Sequence, residues 1–111
     1  MAKYMFLILA NAAEGRDGEF NEWYDNQHIG DVLKIPGFVS AQRFTAVKSG
    51  PSAPFGYMTL YEVETDDVAA TQAAVVAAAG GPAMPMSSSL DTSNLIATYF
   101  QANGAKRVAG T

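Results

Sequence analysis

The run at residues 4–10, YMFLILA, is apolar at every position, and it narrows the folds open to this chain more than any other feature. Seven such residues bounded by a polar cluster suit a strand better than a helix. Neighbouring side chains of a strand point to opposite faces, so Phe6 and Ile8 face one way and Leu7 and Leu9 the other. Both faces of this strand therefore need cover.

The remaining elements supply one layer of that cover. Residues 11–18 form a polar loop, and Asp17 is placed to cap a helix with Glu19 and Glu22 near its first turn. Phe20, Trp23, Tyr24, Gln27, Asp31 and Val32 recur along it at steps of three and four, one stripe with polar members. Pro36 and Gly37 stop it. Residues 38–47 are expected to be a second strand with Phe38 and Phe44 on one face. Turn chemistry follows at 48–54, and residues 55–63 form a third strand, so the pair is a hairpin. Thr65 or Asp66 caps a second helix running to about Ala79, so rich in Ala and Val that it is expected to lie close against something. A loop at 80–94 leads to a last strand at 95–101. Residues 1–103 are read as a single domain and 104–111 as a flexible tail.

The order is β-α-β-β-α-β. Right-handed crossovers put both helices on one face of a four-stranded antiparallel sheet, with the first and third strands central. One helix layer covers one sheet face only. The other face calls for a partner, and the simplest partner is an identical sheet, so a homodimer through the sheet face is expected.

Composition closes several routes. Across 111 residues the chain is 49% apolar, enough for one packed core. Its formal net charge is −4, without the clustered bases that nucleic acid demands. There is no cysteine, which removes disulfides, thiolate metal sites and cysteine nucleophiles. Lys3 and the apolar run imitate a signal peptide, but the run is too short to span a membrane and no small-x-small cleavage pattern follows. The expectation is a cytoplasmic protein with no membrane partner.

The stretch 19–44, EFNEWYDNQHIGDVLKIPGFVSAQRF, resembles the EthD-like proteins of the dimeric α+β-barrel superfamily. Those show a helix with an E-F-x-x-W-Y-x-x-x-H-I-x-D-like pattern, a P-G-F or P-G-V turn, and an aromatic or basic strand. Here the pattern falls on Phe20, Trp23, Tyr24, His28, Asp31, Pro36, Gly37 and Phe38, with Gly30 where relatives often carry proline. The close match covers about a quarter of the chain. The resemblance implies a ferredoxin-like α+β fold, dimeric, with a ligand cavity between sheet and helices. It does not choose a reaction: relatives include proteins linked to breakdown of small organic compounds, muconolactone isomerases, polyketide cyclases and cofactor-free oxygenases.

His28 is the only histidine and the natural proton shuttle at neutral pH. Tyr24 lies four residues before it and Asp31 three after, so the three can meet on one helix flank. Aspartate would orient the imidazole and tyrosine would donate to a developing oxyanion, a set suited to proton abstraction beside a carbonyl. The competing reading is structural: a histidine near a helix end paired with Asp31, or Gln27 and Asp31 tying the helix to the second strand. Asp25, His28 and Asp31 drift around the helix by about 60° per step, which disfavours a shared metal ion. Trp23, Tyr24, Phe44, Tyr57, Tyr61 and Phe100 are candidate pocket aromatics, set against a plain core role. Arg43 is a candidate for an anionic ligand, or else a cross-strand partner of Glu62. Met84 and Met86 sit in a pliable loop that could cover the cavity or contact a second copy. Ser87, Ser88 and Ser89 are expected only to cap a loop.

Three readings follow. The first is cofactor-independent proton-transfer chemistry (isomerisation, cyclisation or carbon–carbon cleavage) on a carbonyl-bearing aromatic or lactone-like compound in catabolic or secondary metabolism. The second is a non-catalytic binding protein for hydrophobic catabolites. The third is a cofactor-free monooxygenase. No cofactor or metal is expected in any of them.

Overall fold

The computed structural model describes residues 1–110 and has the expected element order. Strand β1 (Ala2–Ala10) leads into a helical rod of three pieces: α1 (Asp17–Trp23), a π-helical turn (Tyr24–His28) and α2 (Ile29–Leu33). Strands β2 (Phe38–Thr45) and β3 (Tyr57–Thr65), helix α3 (Val68–Ala78) and strand β4 (Ile96–Phe100) complete the chain. The sheet is antiparallel in the order β2-β3-β1-β4, so the two most apolar strands are central. This is the α+β ferredoxin-like fold. No helix of the described residues is long and apolar enough to cross a membrane.

Local chemistry sets the junctions. Arg16, not Asp17, stands at the N-cap of α1; Asp17 is the first helical residue and its carboxylate accepts from the Tyr57 hydroxyl at 2.6 Å. Helix α3 is capped by Asp67, whose side chain accepts from the Ala70 amide, rather than by Thr65 or Asp66. Gly37 turns the chain from α2 into β2 at φ +98°, with the carbonyl of Glu64 3.0 Å from where a Cβ would sit.

The pairing of β2 with β3 slips between Phe38 and Ser40. This bulge corrects the expectation that Phe38 and Phe44 share a face, because the extra residue inverts the alternation. Phe38 turns toward the helices and packs edge-on against Phe6 and Tyr61. Phe44 points to the opposite face, where it is 37% exposed.

The core lies between sheet and helices. One cluster gathers Phe6, Val32, Phe38, Tyr61, Val63 and Met84; a second gathers Ala10, Phe20, Tyr24 and Leu90. Helix α3, expected to lie close against something, does so in part: Val75 and Ala78 pack against the first core cluster. Only Thr71 among its eleven residues is buried, and Val76 stays 64% exposed. A cavity lies between the helix and the sheet. The sheet's other face carries Leu7 paired with Leu60 at its centre, and Phe44, Ile96 and Phe100 toward its edges. Its centre is apolar, Ser40, Gln42 and Glu62 lie on it too, and no helix of the described residues covers it. Residues 101–110 carry no helix or strand and are exposed; Thr111, the end of the expected tail, lies outside the described residues.

Candidate functional site

The cavity beneath α3 has a volume of about 320 Å³, within the range of small-ligand sites. The sheet contributes Phe6, Ile8 and Tyr61, the rod contributes Trp23, Tyr24 and His28, and α3 and the 80–94 loop close the other side. Contacts tie that loop to the core and to the rod. Met84 is buried in the core, the Pro85 carbonyl accepts from the Trp23 indole at 3.3 Å, and the Ser88 carbonyl accepts from Arg16 at 3.0 Å. The Ser89 carbonyl accepts from the Ala13 amide, and the Ser89 amide donates to Ser87 Oγ, a local turn.

The π-turn shapes the corner of the cavity that holds His28. Trp23 and His28 are five residues apart, a spacing that an α-helix would separate by about 140° around its axis. The wider turn brings them together, stacked with centroids 4.5 Å apart and planes at 25°. Tyr24, four residues before His28, meets the same imidazole edge-on at 4.8 Å. Burial under these rings disfavours the imidazolium and lowers the pKa of His28 to about 4; Asp31 opposes this without overcoming it. His28 is thus neutral at pH 7. Its Nδ1 is buried without a hydrogen-bond partner.

Asp31 is buried nearby but does not hold the imidazole. Its carboxylate accepts from the Gln27 side chain at 2.9 Å. The hydroxyls of Tyr24 and Tyr61 lie 3.3 Å apart. Burial raises the pKa of both, more than the neighbouring Arg43 charge lowers it. Both phenols therefore remain protonated donors through the physiological range.

Four residues expected around the ligand, Arg43, Phe44, Tyr57 and Phe100, do not line the cavity. Arg43 faces the helices but sits behind Tyr24, its guanidinium 4.7 Å from that ring's centroid and close to Phe20 and Tyr57 as well. It donates to Asp25 at 2.9 Å and Asn21 at 2.8 Å. The expected pairing with Glu62 does not form, because the register puts Arg43 opposite Thr59 while Glu62 accepts from Ser40 on the other face. Phe44 lies on that other face too, away from the cavity. A polar residue that the sequence did not single out lines the cavity from α3: Gln72, whose Oε1 accepts from the Tyr99 hydroxyl at 2.8 Å.

No family model and no curated protein matches the chain. Solved structures do. A candidate monooxygenase from Shewanella loihica is similar with a TM-score of 0.64 at 11% identity, over 94% of this chain and 97% of that one. An ethyl tert-butyl ether degradation (EthD) family protein from Bacillus halodurans is similar at 0.56 and 19% identity, over 91% and 99%. An arginine-to-serine mutant of MhuD, holding two manganese protoporphyrin IX molecules per active site, is similar at 0.63 and 17% identity, over 96% and 99%. At such identities the likeness establishes the fold alone, and that fold is ferredoxin-like.

Proposed function

We propose that the chain is a small-molecule enzyme that moves a proton, without a cofactor, on a carbonyl-bearing aromatic or lactone-like compound bound in the cavity beneath α3. The observation that carries this reading is His28: the only histidine, held neutral in the cavity wall by the Trp23 stack that the π-turn creates. A neutral imidazole can accept a proton from a carbon next to a carbonyl. The Tyr24–Tyr61 hydroxyl pair would then stabilise the resulting enolate oxygen. Asp31 acts through its field, favouring the imidazolium as it forms. Trp23 and Tyr61 supply stacking surface, and Arg43 braces Tyr24 from behind.

We also propose that the open sheet face pairs with a second copy of the chain. Its centre at Leu7 and Leu60 is apolar, and one solved relative, from a Jannaschia species, is described as a dimeric ferredoxin-like protein. A cofactor-free monooxygenase is the second reading. It is favoured by the likeness to the Shewanella candidate monooxygenase and by the aromatic walls around His28.

The test is α-proton exchange of cyclic aryl ketones in D2O, followed by NMR, beside ligand affinity. His28→Asn is expected to slow exchange at least about 100-fold with affinity within about threefold. Equal exchange by wild type and variant, with affinity kept, would identify a binding protein instead. Oxygen uptake with a phenol, lost on His28→Asn, would select the monooxygenase.

A further inference from the structure

We infer that the cavity selects an uncharged ligand bearing an acceptor oxygen, and that Gln72 is the residue that recognises this oxygen. The inference rests on the reading that the cavity beneath α3 binds a small molecule, and it names the class of that molecule.

Charge is the first consideration. Among the described residues no Asp, Glu, Lys or Arg lines the cavity. The guanidinium on the adjoining strand, Arg43, is committed to Asp25 and Asn21 behind Tyr24. A carboxylate or ammonium taken into this space would lose its hydration and gain no counter-charge, a large penalty. His28 does not offer that counter-charge at neutral pH, since burial keeps it unprotonated.

The polar groups then define what is recognised. Gln72 lines the cavity from α3, and His28 lines it from the helical rod. Its carbonyl oxygen is occupied by the Tyr99 hydroxyl at 2.8 Å. Tyr99 is itself fixed, stacked on Phe6 with centroids 4.4 Å apart and planes at 18°. With its oxygen held by Tyr99 in the relay Phe6–Tyr99–Gln72, the amide of this cavity-lining residue keeps its NH2 hydrogens as what it has to give. A group that only donates calls for a ligand atom that only accepts: a ketone, lactone or quinone oxygen. Gln72 would thus anchor one oxygen while His28 meets the ligand from the helical rod. Tyr99 is a positioning residue, acting through the amide it holds.

Isothermal titration calorimetry on the full chain with fluorenone, fluorene and a fluorenone carboxylate tests this. The three share one ring system and differ in the acceptor oxygen and the charge. Wild type is expected to bind fluorenone about tenfold tighter than fluorene and at least about tenfold tighter than the carboxylate. Gln72→Leu should erase the advantage of fluorenone over fluorene while leaving fluorene affinity within about twofold. Gln72→Glu keeps the acceptor for Tyr99 but removes the donor, and should erase the advantage as well, which guards against a folding effect of leucine. Tyr99→Phe keeps the ring on Phe6 but frees the amide, and should reduce the advantage without abolishing it. A fluorenone preference that survives both Gln72 substitutions overturns the inference, as does carboxylate binding as tight as the ketone. Absence of binding by all three probes overturns the reading of the cavity as a ligand site, and the inference with it. Binding of fluorene and fluorenone alike by wild type leaves that reading intact and overturns the role of Gln72 alone.

Discussion

Burial of His28 under Trp23 makes the stability of the protein depend on pH. The folded pKa of about 4 lies below the ordinary 6.5. Between those values the unfolded chain binds a proton that the folded chain refuses, so stability is full above about pH 6.5 and falls as pH drops toward 4. The contribution is at most about 3 kcal/mol. Thermal melts across this window should show a falling Tm for wild type and a flatter profile for His28→Gln; parallel profiles would contradict the buried, neutral imidazole. For the same reason, the activity proposed should fall on the acid side near pH 4, not 6.5. Arg43 can be weighed in the same way. Its guanidinium lies over three aromatic rings and makes two charge-assisted hydrogen bonds, while its Nε is buried without a partner. Arg43→Met should cost about 2 kcal/mol in urea denaturation; no loss would show the stack to be incidental. Trp23, Tyr24, His28 and Tyr61 were legible from the sequence because a single histidine and its aromatic neighbours are conspicuous. Gln72 was not, because a polar residue in an alanine-rich helix looks solvated until the fold puts Tyr99 beside it.

At the scale of elements, the two departures from simple periodicity position the site. Helical repeats of 3.6 residues gave the stripe of the first helix but could not foresee the π-turn, since i,i+5 contacts leave no mark in an i,i+3/i+4 pattern. The sequence reading grouped Tyr24, His28 and Asp31, whereas the fold stacks Trp23 on His28 and gives Asp31 to Gln27. The bulge at Phe38 is the second departure, and it sends Phe44 away from the cavity. The junction at Gly37 holds both elements in place. With φ at +98° and the Glu64 carbonyl 3.0 Å from the virtual Cβ, Gly37→Ala should destabilise the protein by about 2 kcal/mol. Equilibrium unfolding measures it, and a neutral substitution would mean that the turn relaxes freely.

At the scale of the whole molecule, the strand order and the one-sided helix layer were legible because they follow from which strands are apolar on both faces. The cavity under α3 was not, since composition reports how small the side chains are and not the space left beneath the helix. The proposed dimer is tested at its centre. Sedimentation should find wild type at twice the mass of one chain and Leu60→Glu at one. A monomeric wild type would remove the second copy from the account. The cavity itself is tested most directly by NMR of the single imidazole during titration with fluorenone. The account predicts that the ring signals of His28 shift saturably, in step with the calorimetric isotherm, because ligand and imidazole share one wall. Saturable binding that leaves those signals unmoved would contradict it.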